Sequence, residues 1–432
     1  MKLTREEKNW ILYDVGNSAF VLLVSTILPI YFNYLAQGAG LTDAQYLAYW
    51  GYAASIATII VAIMGPVMGT MADMKGVKKI LFTVTMIVGA AGCILLGFAR
   101  QWFVFLVIYI IAKVGFSSSL IFYDAMLTDV TEDERMDEVS SYGYAWGYIG
   151  SCIPFVVSLL LVLGAEVIGL TMEQAMMISF AIVAVWWFVM TLPLLKTYRQ
   201  KHYVEKKPHA VRNGFARIGK TLANAKKEKK VFLFLIAFFF YIDGVYTIID
   251  MATAYGSALG LDSVGLLAAL LVTQIVAFPS AILFGRLAKR FRTDKLILVC
   301  ISAYLFIAVF AIFLHTQLQF WILAVLVGMF QGGVQALSRS YFARIIPAEQ
   351  AGEYFGLMDI CGKGAAFLGT TVVGVVTQLT GSMSRGVAMI SLFFMVGIVF
   401  FNMAMKAGNE DAGQKQAEMS ENENYKYPID IV

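Results

Sequence analysis

The chain has 432 residues, 59% of them hydrophobic and 14% charged, with a formal net charge of +4 and a mean hydropathy of +0.73. A water-soluble domain of this length cannot cover so much apolar surface, so the composition excludes one and implies an integral membrane protein. The apolar segments run to about 20 residues or more without period-two alternation, which indicates helices and excludes the strands of a membrane barrel.

The opening MKLTREEKNW leads into an apolar segment too long for a signal-peptide core, and no A-x-A-like site follows; an uncleaved first helix is expected. Hydropathy then predicts twelve spans in all, at about 10–36, 46–70, 78–98, 102–127, 139–163, 174–194, 231–256, 263–284, 295–314, 319–343, 354–379 and 384–406. Of the 33 Lys and Arg residues, only Arg100 and Arg385 fall in the loops of one end, while Lys113, Arg339 and Lys363 fall inside spans. All the others lie at the opposite end, which the positive-inside rule assigns to the cytoplasm together with both termini. The predicted organisation is a six-helix half over 1–194, a basic cytoplasmic linker over 195–230, a second six-helix half over 231–406 and a disordered tail over 407–432. In the linker, GFARIGKTLANAKKEKK places Phe215, Ile218 and Leu222 on one face, as in an amphipathic helix on the inner leaflet. A solvated basic linker is the alternative. The four cysteines, Cys93, Cys152, Cys300 and Cys361, lie in apolar runs with no C-x-x-C and are expected to be reduced packing residues.

Between the second and third spans, Gly65 to Lys79 packs small residues, an acid and a basic pair into a short turn. Gly65 and Gly69 let helices approach closely. The pattern G-x-x-A-D-x-x-G-x-K-K, made here by Gly69, Ala72, Asp73, Gly76, Lys78 and Lys79, resembles the corresponding loop of the major facilitator superfamily. The usual basic residue after the acid is replaced by Met74, with Lys75 one place later. The halves look related: a shift of 215 places Asp124 on Arg339, Glu134 on Glu349, Glu138 on Glu353 and Gly147 on Gly362. Two repeated six-helix halves around a central cavity are the architecture of a secondary transporter. The fold class expected is therefore all-α, with 12 transmembrane helices in two pseudo-symmetric six-helix halves.

The first span opens Trp10-Ile-Leu-Tyr-Asp14-Val-Gly-Asn17, and the seventh reads Phe239-Phe-Tyr-Ile-Asp243-Gly-Val-Tyr246-Thr-Ile-Ile-Asp250. These resemble the first and seventh helices of the Atg22-like branch of that superfamily, which includes vacuolar amino-acid effluxers and bacterial permeases. The resemblance implies efflux or exchange of amino acids or similar small solutes. It departs at Val15 and Gly16, where the branch often has tryptophan and alanine.

Charges inside a span cost roughly 2.5–3.5 kcal/mol each near the centre, so they mark candidate sites. Asp14 and Asp243 occupy similar places in the first helix of each half and are read as proton sites, with Asp250 two turns beyond Asp243. Each could equally serve a helix–helix hydrogen bond or an ion pair. Lys113 and Asp124 share a face of the fourth helix, and Asp124 with Arg339 suggests an interdomain pair that gates one side or holds a zwitterion. Asp359 and Lys363, at i,i+4, are expected to satisfy each other. Tyr13, Asn17, Tyr123, Tyr241, Tyr246 and Gln335 are candidate cavity hydrogen-bonding groups. Gly69, Asp73, Gly76, Lys78 and Lys79 form an expected cytoplasmic gate, with Asp73 capping or pairing with a neighbouring helix. The acidic loop 128–138 can pair with basic residues such as Arg286 or Arg290 when that face closes; a solvated loop is the alternative.

His202, His209 and His315 lack metal spacing and there is no G-x-x-x-x-G-K-[ST], so no metal, cofactor, enzyme activity or ATP-driven step is expected, and no nucleic-acid partner. The reading is a monomeric, proton-coupled secondary transporter of a small solute in the plasma membrane, in contact with its lipids. Two readings stay open beside it: an exporter or flippase of amphiphiles, and a transport-inactive receptor or scaffold.

Overall fold

The computed structural model describes residues 2–205 and 228–426. The expected amphipathic stretch of the linker lies outside the described residues. Among the described residues, 12 helices are long and apolar enough to cross a membrane. In chain order they are α1 (Arg5–Gly38), α2 (Ala48–Ala72), α3 (Lys78–Leu96), α4 (Trp102–Val130), α5 (Asp133–Leu163), α6 (Met172–Thr197), α7 (Lys229–Ala252), α8 (Ala268–Leu287), α9 (Thr293–Ile312), α10 (Gln317–Ile345), α11 (Ala348–Thr380) and α12 (Met383–Asn409).

Helix α1 starts earlier than hydropathy alone indicates. Thr4 and Glu7 form a capping box, which satisfies the first N–H groups of a polar first turn. Further along, Pro29 has no N–H to return to the preceding turn, and the chain widens into a π-helical turn at Leu23–Ile27 just before it. The backbone of the last helix continues to Lys426, past the point near residue 407 where a disordered tail was expected.

Within the first half, α1 packs on α5 and α6, and α3 on α4; within the second, α7 packs on α11 and α12, and α8 on α10. Two seams join the halves, α2 on α11 and α5 on α8 and α10. Contact along both is closest at the end that carries the termini and the basic loops, called the basic end below. Toward the far end Asp250 is exposed although it lies inside α7. The described cysteines are all free thiols, as the sequence implied.

Candidate functional site

The site is built around Arg339 of α10, which is buried between the halves. Its Nη2 donates to Asp14 Oδ2 on α1 at 3.2 Å, and its Nη1 to Asp124 Oδ1 on α4 at 3.1 Å. On α5, Ser140 Oγ accepts from Nε at 2.9 Å and the Ser140 carbonyl accepts from Nη2 at 3.0 Å. The guanidinium lies over the rings of Tyr144 at 4.3 Å and Trp10 at 4.6 Å. A buried cation needs this many partners, because desolvation alone would expel it. Aromatic faces add to the attraction where water is excluded. Asp124 and Arg339, paired in the repeat, thus do meet across the halves. Ser140 and Tyr144 carry no charge and no local motif, and Trp10, although it opens the first-helix motif, has no charge to mark it as a site residue.

Asp14 and Asp243 are not equivalent, contrary to expectation. In each half a tyrosine of the first helix bonds a serine of the fourth, Tyr13 with Ser119 at 2.6 Å and Tyr241 with Ser338 at 2.7 Å. With Tyr13 matched to Tyr241, Asp14 follows its tyrosine by one residue and Asp243 follows by two. One residue is about 100° around a helix. Asp14 therefore faces α10 at the centre, whereas Asp243 faces α11 inside the second half. There Asp243 Oδ1 accepts from the Gly369 N–H at 3.0 Å and from Thr247 Oγ1 at 3.2 Å. Asn17 donates to the Tyr13 carbonyl at 2.9 Å and lies 3.4 Å from Asp14 Oδ1, so it steadies that carboxylate.

Above the Arg339 cluster, toward the far end, stand four more charges. Lys363 donates to Asp359 one turn before it on α11. Lys113 on α4 feels the charges of Asp250, Asp359 and Lys363, and its ammonium lies 5.5 Å from the Phe116 ring centroid. Tyr246 on α7 faces the same group, within electrostatic reach of Asp124, Asp250, Asp359 and Arg339. Gln335 is half-buried nearby on α10. The sequence-nominated charges of both halves thus converge on one cavity, with Asp243 set apart from them.

Below the cluster, the basic end is closed by two seams of different chemistry. In the α2–α11 seam, Gly69 meets Gly352 so closely that a Cβ on Gly69 would collide with the Gly352 carbonyl oxygen. Asp73 is buried at the end of α2, and its two oxygens accept from the N–H groups of Gly352 at 2.7 Å and Glu353 at 2.9 Å. A carboxylate at a helix N-terminus satisfies orphan donors and the helix dipole together. Burial pushes this carboxyl up to about 7, with Lys78 and the two N–H groups pulling the other way. On the other side, along α5, Arg344 of α10 clamps Asp137 at 2.7 Å, and Lys289, in the loop after α8, meets Glu138 at 2.7 Å. These partners correct the expectation of Arg286 or Arg290. Thr293 also donates to Asp137 at 2.7 Å.

Two gate residues belong elsewhere. Lys78 is fully buried and pairs with Asp129 at 3.0 Å, holding α3 to the end of α4. Gly76 takes φ 76°, the left-handed conformation that glycine adopts without strain, and its N–H donates to Gln200 at 2.9 Å. Gln200 belongs to a strap that follows α6. Asp129 accepts from the N–H groups of Lys201 at 3.0 Å and His202 at 2.8 Å and from the Tyr198 hydroxyl at 2.6 Å. Val204 then pairs with Met74 in an isolated parallel bridge, its N–H donating to the Asp73 carbonyl at 2.8 Å. The loop that presents Asp73 to α11 is therefore held from behind by the first residues of the linker. No local pattern signals this, since the partners are far apart in the chain.

Comparison with known proteins agrees with this architecture. The family model described as "Vacuole effluxer Atg22 like" matches residues 3–134 and 128–413. The chain is 43% identical over 423 residues to the uncharacterized MFS-type transporter YxiO of Bacillus subtilis (strain 168), covering 97% of this chain and 99% of that one. Autophagy-related protein 22-1 of Penicillium rubens is 24% identical over 65% of this chain, which spans 51% of that protein. Among solved structures, the MFS transporter FucP in its outward conformation superposes with a TM-score of 0.68 at 15% identity, over 93% of this chain and 97% of that one. A second FucP structure is titled as a fucose:proton symporter (TM-score 0.63, 16% identity, 93% of this chain and 97% of that one). Twelve helices, two related halves meeting at charged seams and a match over nearly the whole length make this chain a member of the Atg22-like family of major facilitator superfamily transporters.

Proposed function

We propose that the protein is a proton-coupled secondary transporter that moves a small zwitterionic solute, such as an amino acid, by alternating access in the plasma membrane. The observation that carries this reading is the charge inventory of the cavity. Arg339, Lys113 and Lys363 face Asp14, Asp124, Asp250 and Asp359, from both halves, above a closed basic end. Charges of both signs match the carboxylate and ammonium of a zwitterion. The unmatched negative charge favours a load carrying one extra positive charge, which a proton supplies. The basic end is read as cytoplasmic from the placement of Lys and Arg, so the conformation described faces outward. The fold relative FucP is itself titled as a proton symporter, and the family model is named for an effluxer.

Reconstitution in proteoliposomes with a panel of radiolabelled amino acids under an imposed pH gradient tests the proposal. Counterflow of at least one amino acid, lost in Arg339→Gln, is the expected result. The proposal fails if no amino acid exchanges, or if exchange is indifferent to the pH gradient.

A further inference from the structure

Asp243 lies outside the cavity just described, and the mechanism proposed above makes no use of it. Its side chain is completely buried, in the seam where α7 meets α11. One oxygen, Oδ1, is cradled by the Gly369 N–H and the Thr247 hydroxyl. Gly369 has no side chain to hold the helices apart, and a Cβ there would collide with that same oxygen. The other oxygen, Oδ2, is buried with no hydrogen-bond partner.

The surrounding charges are occupied elsewhere. On α11, Lys363 is bound to Asp359; on α10, Arg339 is bound to Asp14 and Asp124. On α7 itself, Tyr246 and Asp250 face the cavity charges. On the side of α9 and α12, Tyr304 stacks on Phe394, whose ring lies over Gly244. The partners of each lie elsewhere, and the groups that hydrogen-bond Asp243 are the Gly369 N–H and the Thr247 hydroxyl.

An ionised carboxylate in a span needs either a cation or hydrogen bonds to both oxygens, and Asp243 has neither. We infer that Asp243 is a resident proton-binding site, separate from the solute cavity, in which the carboxyl is held as the neutral acid with Oδ2 carrying the proton and Oδ1 accepting from α11. The inference goes beyond the transport reading and needs no solute. Because the acceptor is on α7 and the donor on α11, loss of the proton alters the contact between two helices of one half. The same α11 carries Lys363 into the cavity and receives Asp73 at its start.

Infrared difference spectroscopy of the full chain in phosphatidylcholine–phosphatidylglycerol vesicles, without solute, reads the site directly. The wild type at neutral pH should show the C=O absorption of a buried carboxylic acid, and Asp243→Asn should lose it. Thr247→Val removes one hydrogen bond to the same carboxyl and leaves the acid in place, so the band should shift in position. It serves if Asp243→Asn does not fold. A band unchanged in Asp243→Asn, or unmoved in Thr247→Val, overturns the assignment. So does a band that disappears when sodium chloride replaces choline chloride, for the site would then hold sodium in place of the proton.

Discussion

Asp73 caps the start of α11 with its side chain while its own carbonyl is held by Val204. When the basic end opens, this carboxyl leaves Gly352 and Glu353 and regains water, and its affinity for protons returns toward the ordinary value of 3.8 from about 7. The sign of the linkage follows. The closed state binds the proton more tightly, so the stabilisation is complete below the open-state value and is lost as pH rises through about 7. Acidification through neutrality should therefore favour closure. Labelling of Thr70→Cys, buried beside Gly69, by an impermeant maleimide from the basic side should rise between pH 6 and pH 8, after correction for the reactivity of the same thiol in unfolded protein. In Asp73→Asn, which keeps one acceptor and cannot ionise, the corrected labelling should stay flat. A fall with pH in the wild type would contradict the assignment.

At the scale of helices, the α2–α11 seam depends on the absence of side chains at Gly69 and Gly352. A Gly69→Ala methyl has no space in the closed seam, and overpacking of this kind costs about 1–3 kcal/mol. That corresponds to roughly a 5–150-fold shift in a two-state equilibrium, here toward opening of the basic end. Ser141→Cys, which lies under Gly285 in the other seam, should then label faster from the basic side; an unchanged rate would show that the seams open independently. Most helices were legible in the sequence, because a membrane span must satisfy its own backbone and show an unbroken apolar run. The Asp124–Arg339 meeting was legible too, since a buried charge demands a partner and the repeat supplied its address. Register was not. A difference of one residue between Tyr13–Asp14 and Tyr241–Asp243 turns the second acid away from the centre, and only packing reveals it. Nor was the role of Asp129 legible, for its donors on the strap lie in a distant part of the chain. The bases that meet the acidic residues were not legible for a similar reason: loop charge density does not say which of several cations faces inward, and Lys289 and Arg344 do.

For the whole molecule, the two seams respond to different conditions. The seam along α5 is closed by ion pairs to α10 and to the loop after α8, of which Lys289–Glu138 is partly exposed and therefore screened by salt. The α2–α11 seam is closed by a buried carboxyl on backbone N–H groups, which is insensitive to salt and sensitive to pH. The strap belongs wholly with the first half, its contacts running to Asp129, Ala72, Asp73 and Gly76. Two polypeptides, 1–205 and 228–432, co-expressed in place of the single chain, should therefore assemble into a complex that co-purifies through a tag on one of them. Ending the first at residue 197 removes the strap and should lower the recovered complex; equal recovery would deny the strap a role. The same arrangement gives an order to biosynthesis. A nascent chain that has just emerged through Val204 can already finish the basic end of its first six helices. The loop bearing Asp73 is then set in place before any of the second half exists, and α11, made last but one, arrives at a latch that has been waiting for it.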